Sequence, residues 1–353
     1  MHESEFQPII HHFPRVKVLV VGDYFLDNYL ILDAALSETS LETGLEAYQV
    51  VEVRRYPGAA GTVAANLVAL DPGEVHALGV IGNDGEGYEL LAGLHARGIL
   101  TESLLQVPGR FTPTYTKPML RDGGQERELN RLDYKNRHPC LPAIDAQIIA
   151  RLREMTPRVD AVVVADQVPE RNCGVITDAV REELATLAVA YPHIFFLADS
   201  RVQISEYRNV VLKPNREEAY RAWHQVAGHP ASLAESAALG NALARRNARP
   251  VFLTMSEDGI LVADGATATH VPAYRQTGPI DICGAGDSTM AGITLALCSG
   301  ANPVQAAVIG NLVASHTVQQ IGVTGTTTRG ALLERFHAAG DELQPVAVAL
   351  PTG

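Results

Sequence analysis

The chain has 353 residues, of which 46% are hydrophobic and 19% are charged, proportions typical of a folded globular protein. Its formal net charge of −12 argues against a nucleic-acid-binding protein, because no basic stripe offsets the negative charge. No run approaches the roughly 18 apolar residues of a membrane-spanning helix, and the N-terminus lacks a signal-peptide pattern. We therefore expect neither a nucleic-acid nor a membrane partner.

The four cysteines indicate the redox state of the compartment in which the protein occurs. Their spacing matches neither a metal-ligand pattern nor a paired disulfide framework. They are Cys140, Cys173, Cys283 and Cys298. Buried thiols of this kind are typical of a reducing compartment, so we predict a cytoplasmic protein.

The first strand of the chain predicts a ligand site. Val16–Val21 is a short β-branched apolar run typical of a buried parallel strand, and Asp23 and Asp27 follow it. Open α/β sheets bind their ligands at the carboxyl ends of their strands. Either acid could equally serve as a turn residue, and the spacing alone does not decide between the two interpretations.

Two β excursions follow, and they predict a small separate sheet that forms a lid or a dimer surface. The strand pairs are Tyr29–Leu32 with Tyr48–Val53, and Thr114–Leu120 with Glu126–Leu132. Asp122-Gly123-Gly124 joins the second pair as a hairpin turn. The lid therefore comprises about residues 28–56 and 112–134.

A glycine-containing segment between the two excursions opens a helix that runs from Pro57 to about Leu70. Gly58 and Gly61 would allow a ligand to approach the backbone, although tight packing of the helix on the sheet explains them equally well. A strand over 75–80 and a helix ending at Arg97 follow.

From residue 141 onward helices and strands alternate, which predicts a mostly parallel sheet covered on both faces. Asp166 and Asp199 each follow a buried strand. The predicted helices are 148–155, 173–190, one beginning at Pro214 and Asn215, 233–247, 285–298 and 303–318. The predicted strands are 161–165, 194–198, 210–212, 250–255, and an antiparallel pair over 259–263 and 268–271.

A glycine turn, Asp281-Ile282-Cys283-Gly284-Ala285-Gly286-Asp287, precedes the first of the last two helices. Backbone amides at such a helix start form an anion site. An acid within an anion site would repel phosphate unless it accepts a proton from the attacking group, so the turn indicates phosphoryl transfer with Asp287 as base. The structural alternative, an N-cap at Asp287, is the commoner reading for a single motif.

Several of these segments resemble the PfkB, or ribokinase-like, carbohydrate kinases. The glycine turn is similar to that family's Asp-Thr-x-Gly-Ala-Gly-Asp signature, and Asn215-Arg216-Glu217-Glu218 matches its Asn-x-x-Glu element. Thr254–Gly259 resembles its Thr-x-Gly-x-x-Gly stretch, with Ser256 in place of the first glycine. Within the family, Val20–Tyr29 and Arg131-Leu132-Asp133 are most similar to heptose-7-phosphate kinases, the kinase half of bifunctional ADP-heptose synthesis proteins.

The resemblance implies an α/β fold, a ribokinase-like three-layer α/β/α sandwich with a small β-sheet lid. The kinase domain would span residues 15–330, after an N-terminal extension of residues 1–14 and before a C-terminal helix and tail of residues 331–353. The family likeness also implies a homodimer formed through the lid.

The same resemblance implies ATP-dependent phosphorylation of a hydroxyl on a sugar or sugar phosphate. Asp287 would take the proton, and the amides of Gly284, Ala285 and Gly286 would stabilise the transferring oxygens. Asn215 and Glu218 would position Mg²⁺ through water, although a helix-start capping box explains this pair as well. Thr254, Gly259 and Asn311 would line the nucleotide, and Asp281 would support a monovalent cation such as K⁺.

On the acceptor side, the resemblance makes Asp27 the main sugar-hydroxyl acceptor, with further residues around it. These are Asp23, Gly58, Asn66, Asp166, and Arg131 or Arg201 for a phosphate. The sugar loop reads Gly58-Ala59-Ala60-Gly61-Thr62 rather than Gly-Gly-Ala-Ala-Asn, and Asp166–Glu170 lacks the family's lysine. The sugar therefore stays open, and the alternative is a non-catalytic sugar- or nucleotide-binding sensor on the same fold.

Overall fold

The computed structural model describes residues 1–340 and 343–349, and strands form its central layer. In chain order they are β1 (Lys17–Gly22), β2 (Tyr24–Thr39), β3 (Glu46–Ala59), β4 (Glu74–Gly82), β5 (Leu100–Val107), β6 (Thr114–Asp122), β7 (Gln125–Glu128), β8 (Leu132–Tyr134), β9 (Ala161–Asp166), β10 (Phe195–Ser200), β11 (Val211–Leu212), β12 (Val251–Thr254), β13 (Ile260–Ala263), β14 (Ala268–Val271) and β15 (Val346–Ala347).

Ten strands form the main sheet, in the order β15-β14-β13-β12-β11-β10-β9-β1-β4-β5. From β5 to β12 the neighbours are parallel, and from β12 to β15 they are antiparallel. The buried strands read as continuous apolar runs because helices cover both faces. The mostly parallel sheet and its antiparallel edge are confirmed.

Helices fill the two outer layers, and each layer has its own hydrophobic core against the sheet. The helices are α1 (Glu3–His12), α2 (Ala60–Ala69), α3 (Gly85–His95), α4 (Pro142–Met155), α5 (Asp178–Ala190), α6 (Arg216–His224), α7 (Leu233–Asn247), α8 (Ala285–Cys298), α9 (Pro303–Thr317) and α10 (Arg329–Ala339). The result is a three-layer α/β/α sandwich. No helix of the described residues is long and apolar enough to cross a membrane.

The lid is a second sheet in the order β3-β2-β6-β7, with β8 also paired to β6. Strand β2 is antiparallel to β3 and parallel to β6. Because β2 follows β1 after only Asp23, the lid is attached directly to the carboxyl end of a central strand. A separate β sheet at this point of the chain was predicted, although its strands are longer than expected.

Several predicted boundaries were wrong: the helix predicted over 148–155 begins at Pro142, and three further differences have identifiable reasons. Residues 57–59 continue β3, so the helix begins at Ala60 instead of Pro57. The helix expected from Cys173 begins at Asp178, because the Asp23 carboxylate holds the preceding loop by accepting the amide of Val175. The last lid strand is divided into β7 and β8.

The first and last helices pack against each other. Phe6, Ile9 and Ile10 of α1 are buried, and Phe6 stacks on Phe336 of α10 with ring centroids 4.0 Å apart. The predicted N-terminal extension thus contributes to the core of the sandwich. The predicted C-terminal tail includes residues 341–342 and 350–353, which lie outside the described residues.

Candidate active site

The glycine turn lies at the start of α8, at the carboxyl edge of the sheet. Gly284 is the N-cap and has φ +78°, a conformation that favours glycine, and a Cβ there would lie 2.7 Å from Cγ2 of Thr324. Asp281 braces the turn, because its carboxylate accepts the amides of Cys283 at 3.0 Å and Gly322 at 3.1 Å.

The amides of this turn are not equally free. The Ala285 amide donates to the Ile282 carbonyl at 3.1 Å, which corrects the expectation that it faces a ligand. The amides of Gly284 and Gly286 donate to no group among the residues that the structure describes. Two of the three predicted amides are therefore available to an anion at the positive end of α8.

Asp287 is the third residue of α8 and does not cap it. No side chain caps this helix, so the N-cap interpretation of Asp287 is wrong. Burial and the nearby Asp199 carboxylate raise the pKa of Asp287 to about 7, whereas Lys213 and Arg201 oppose the rise. A carboxyl with this pKa changes protonation near neutral pH, as a general base requires.

Lys213 is a functional candidate that sequence reasoning missed. Its ammonium pairs with the Asp199 carboxylate at 3.0 Å, and the Lys213 side chain is only 4% exposed. The ammonium lies 3.5 Å from where a Cβ of residue 286 would be, so it faces the glycine turn. Burial lowers the pKa of Lys213, and Asp199 with Glu218 raises it, for a net rise.

Asn215 and Glu218 form the capping box of α6. Each side chain accepts the other residue's backbone amide at 2.8 Å. Glu218 uses Oε2 for this bond, which leaves Oε1 for another ligand. Burial and Asp199 raise the pKa of Glu218 to about 7. The capping interpretation is confirmed, and it does not exclude a role in binding cation.

The described residues contain no group of three or more His, Cys, Asp or Glu side chains arranged to hold a metal ion. Mg²⁺ does not require such a group, because it keeps several waters and binds one or two carboxylates together with substrate phosphates. Glu218 with its free Oε1, beside Asp199 and the glycine turn, fits that pattern.

The predicted nucleotide residues fall into two groups: Thr254 lies beside the capping box, whereas Gly259 and Asn311 support the backbone. Thr254 bonds to the Pro214 carbonyl and pairs with Asn215, next to the capping box. Gly259 has φ +90°, and a Cβ there would lie 2.2 Å from the Val271 carbonyl oxygen, so glycine is required for the turn itself. Asn311 is 7% exposed and donates to the carbonyls of Val271 and Pro272. Asn311 therefore supports the backbone here.

Asp27 lies on β2 of the lid, near enough to the glycine turn that its charge raises the pKa of Asp287. Oδ1 of Asp27 is 3.1 Å from the ammonium of Lys117, which sequence reasoning also missed. Gly58 stands directly beside Asp27, because a Cβ at residue 58 would lie 2.5 Å from Oδ2. The close neighbour of Gly58 is thus the Asp27 carboxylate of this chain, and the approach of a ligand to Gly58 stays a prediction.

Three other predicted acceptor residues are buried and hydrogen-bonded within the protein, and Oδ1 of Asn66 is left without a partner among the described residues. Asp23 accepts the amides of Gln167, Val168 and Val175. Asp166 accepts the hydroxyls of Ser200 and Tyr207, and burial and Asp23 raise its pKa to about 7. Asn66 is 1% exposed and donates to the Thr62 carbonyl. A pocket lies beneath the lid, between Asp23, Tyr115 and Val175. Of the three predicted residues, only Asp23 lines it.

Basic side chains surround Tyr115 at this pocket. The guanidinium of Arg131 stacks over the Tyr115 ring at 4.2 Å and pairs with Asp133 at 2.6 Å. Lys135 lies 5.9 Å from the ring centroid and, with Arg110, lines the pocket. Arg201 contributes its charge to the environments of both Tyr115 and Asp287.

The candidate site has two sides, each named for the substrate that the sequence predicts there. The nucleotide side comprises residues 284–287, Lys213, Asn215, Glu218 and Thr254. The acceptor side comprises Asp27, Tyr29, Gly58, Tyr115 and Lys117.

Comparison with known proteins gives one consistent result. A family model described as pfkB family carbohydrate kinase matches residues 17–329. The bifunctional protein HldE of Desulfatibacillum aliphaticivorans is 29% identical over 338 residues, which cover 95% of this chain and 65% of that protein. HldE of Trichlorobacter lovleyi is 30% identical over 330 residues, 93% of this chain and 63% of that protein. The chain thus spans less than two thirds of these curated relatives.

Solved structures match the fold at low identity. Escherichia coli phosphofructokinase-2 in complex with potassium has a TM-score of 0.71 at 16% identity, covering 92% of this chain and 99% of that one. Arabidopsis thaliana ribokinase with ribose and ATP has a TM-score of 0.67 at 17% identity, covering 91% and 98%. These structures establish the ribokinase-like fold predicted from the sequence.

Proposed function

The chain belongs to the PfkB family of carbohydrate kinases, and from that premise we propose that it transfers the γ-phosphoryl group of ATP to a hydroxyl of a sugar phosphate. The observation that carries the proposal is Asp287, a carboxyl with a pKa of about 7 beside two free backbone amides and the Lys213 ammonium. A binding protein gains nothing from an acid at a phosphate site, whereas a kinase needs a base there.

The reaction balances as an in-line displacement. The acceptor oxygen forms a bond to the γ-phosphorus, the bond from that phosphorus to the β,γ-bridging oxygen breaks, and ADP leaves. Asp287 takes the proton of the acceptor hydroxyl. The amides of Gly284 and Gly286, with Lys213, stabilise the charge on the transferring oxygens, and such preorganised donors usually supply the largest part of the acceleration.

The metal would be Mg²⁺, held through water by Asn215 and Glu218, and it would neutralise charge on the nucleotide phosphates. The free Oε1 of Glu218 supports this assignment. A monovalent cation such as K⁺ next to Asp281 is a second part of the proposal. Asp281 already orders the turn through two backbone amides, and the phosphofructokinase-2 structure contains potassium.

A phosphorylated acceptor is favoured by the charges around the pocket. The chain carries a net charge of −12, yet Arg131, Lys135 and Arg201 lie near Tyr115, and Arg110 lines the same pocket as Tyr115 and Lys135. A phosphate on the acceptor would pair with this group while its reacting hydroxyl lies between Asp27 and Asp287.

The lid would also join two copies of the chain. Tyr48, Val50, Val51 and Val53 of β3 are between 41% and 49% exposed, an apolar strand surface that a second lid would cover. A homodimer in the cytoplasm is the assembly we propose.

The test is ADP release from Mg-ATP against a panel of sugars and sugar phosphates, heptose 7-phosphate and fructose 6-phosphate included. We expect turnover that depends on one acceptor and falls about 10²–10⁴-fold in Asp287→Asn, the usual contribution of a general base. If acceptors raise the melting temperature of the wild type but none releases ADP, the protein is a sensor and the proposal fails.

A further inference from the structure

Lys117 lies at the centre of a charged contact on the lid that joins two strands. Its ammonium is 3.1 Å from Oδ1 of Asp27 and 3.0 Å from the hydroxyl of Tyr29. The side chains of Lys117 and Asp27 are only 14% and 18% exposed. The pairing follows from the register, because Tyr29 of β2 is the partner of Lys117 on β6, and Asp27 lies two residues earlier on the same face.

The contact lies near Cys283, the residue before the glycines of the turn. Desolvation raises the pKa of the Cys283 thiol, and among nearby charges Lys117 opposes that rise most. Burial raises the pKa of the Tyr29 hydroxyl, and the charge of Cys283 adds to that rise. Lys117 and Tyr29 therefore lie near the residue that immediately precedes the phosphate-binding glycines.

The two oxygens of Asp27 have different surroundings. Oδ1 is held by Lys117, whereas Oδ2 accepts no hydrogen bond from the part of the chain that the structure describes. Oδ2 is free to approach the backbone closely because residue 58 is glycine. A carboxylate with one fixed oxygen and one free oxygen presents a directed acceptor for a hydroxyl group.

We propose that Lys117 is a positioning residue for the acceptor: it holds Oδ1 of Asp27 so that Oδ2 accepts a hydrogen bond from an acceptor hydroxyl. Tyr29 orients the ammonium by bonding to it and by placing its ring 4.6 Å away. The inference rests on the proposed function and extends it, because it assigns acceptor affinity to a residue outside the glycine turn and the strand ends.

The alternative is that Lys117 only neutralises a half-buried carboxylate and so stabilises the lid. The two roles make different predictions. A positioning residue affects the acceptor and leaves ATP binding unchanged, whereas a purely stabilising residue lowers the melting temperature and affects both substrates to the same extent.

The experiment compares Lys117→Met, which keeps the length of the side chain, with Lys117→Arg, which keeps the charge. Lys17→Met is the matched control, since Lys17 makes an ion pair with Glu74 at 2.6 Å on β1, away from the lid. For each protein, calorimetry measures the affinities for heptose 7-phosphate and fructose 6-phosphate, and steady-state kinetics gives KM and kcat.

We expect Lys117→Met to weaken acceptor binding and raise the acceptor KM by about 10–100-fold, the usual value of a charge-assisted hydrogen bond. The KM for ATP and the melting temperature should stay close to those of Lys17→Met. Lys117→Arg should recover part of the affinity.

Unchanged acceptor affinity in Lys117→Met would overturn the inference, and so would an equal loss of affinity for acceptor and ATP. The proposed function fails by a separate observation: wild-type protein that binds the acceptor without transferring a phosphoryl group. In that case the affinity of Lys117→Met still decides the role of Lys117.

Discussion

On the nucleotide side of the site, the charged groups lie at helix starts and strand ends of the ten-stranded sheet, whereas on the acceptor side they lie on the strands of the lid. Lys213 and Asp199 are adjacent to paired residues of β10 and β11 and are almost fully buried. The pairing of Asp27 with Lys117 depends instead on the register of β2 with β6. The nucleotide side is therefore anchored to the main sheet through the buried Lys213–Asp199 pair, whereas the acceptor side depends on pairing within the lid.

This difference agrees with where the sequence departs from the family's pattern. More of the departures fall on the acceptor side, where the sugar loop at residues 58–62 and the segment after β9 are changed; on the nucleotide side the Asn-x-x-Glu element is intact, and the differences are Ile282 and Ser256. We expect substitutions on the nucleotide side to affect folding and catalysis together, and substitutions on the acceptor side to affect acceptor affinity alone.

The largest effect should come from Lys213→Met on the nucleotide side. The substitution leaves Asp199 buried without its partner, which typically costs about 3–5 kcal/mol of unfolding free energy. It also removes the ammonium next to Gly286, so the KM for ATP should rise. Denaturant unfolding and steady-state kinetics measure the two effects.

The double variant Lys213→Met with Asp199→Asn separates them. It should recover much of the lost stability, because no unpaired charge is left in the core, while ATP binding stays weak. Recovery of both stability and ATP affinity would mean that Lys213 has no role at the phosphates.

A smaller effect, on stability alone, should come from Asp166→Asn. The folded-state pKa of Asp166 is about 7, above the unfolded value near 4, so the folded chain retains a proton that the unfolded chain loses between these pH values. Its contribution to stability therefore falls as pH rises from about 4 to 7.

Replacement by asparagine removes that dependence. Between pH 5 and pH 8 the unfolding free energy should fall less in the variant than in the wild type, by on the order of 2–3 kcal/mol. Denaturant unfolding at pH 5 and at pH 8 measures it for both proteins. Identical pH dependence in variant and wild type would show that Asp166 is ionised in the folded protein throughout this range.

The smallest effect should come from Gly58→Ala on the acceptor side. The new Cβ would lie 2.5 Å from Oδ2 of Asp27, so the carboxylate must move. We expect the acceptor KM to rise about 10-fold, roughly 1.4 kcal/mol, with little change in the KM for ATP. Gly85→Ala is the control for adding a methyl group, because a Cβ there would have nothing within 4 Å and Gly85 has no positive φ. A rise in the KM for ATP equal to that for the acceptor would contradict the separation of the two sides.

The contrast between the sides also explains what the sequence could predict. The glycine turn is one short segment and Asn215 with Glu218 belongs to another, and each is recognisable from its own local pattern, so both helix starts were predicted correctly. Lys117 and Tyr29 are 88 residues apart. Their contact depends on a parallel pairing of β2 with β6 that no local pattern reveals.

Burial is the other property that single residues did not reveal. Lys213 stands next to Pro214 and Asn215 in the sequence, but its importance depends on its position beneath Gly286. Asn66 and Asn311 matched the family by position, and the structure shows both satisfying interior carbonyls. Helix α1 was missed because its segment is polar and contains Pro8, although Phe6, Ile9 and Ile10 have helical spacing.

The central claim is that Asp287 takes the proton of the acceptor hydroxyl, and a single-turnover measurement tests it most directly. Enzyme in excess is mixed with labelled ATP, Mg²⁺ and acceptor, and product is quenched at pH 6 and at pH 8 for the wild type and Asp287→Asn. With a pKa of about 7 for Asp287, the wild-type rate should rise about 10-fold between these pH values, as for a base that must be deprotonated. With Mg²⁺ at saturating concentration at both pH values, so that Glu218 stays ionised, the variant should be slow and independent of pH. An Asp287→Asn rate that rises with pH in parallel with the wild type would contradict the account.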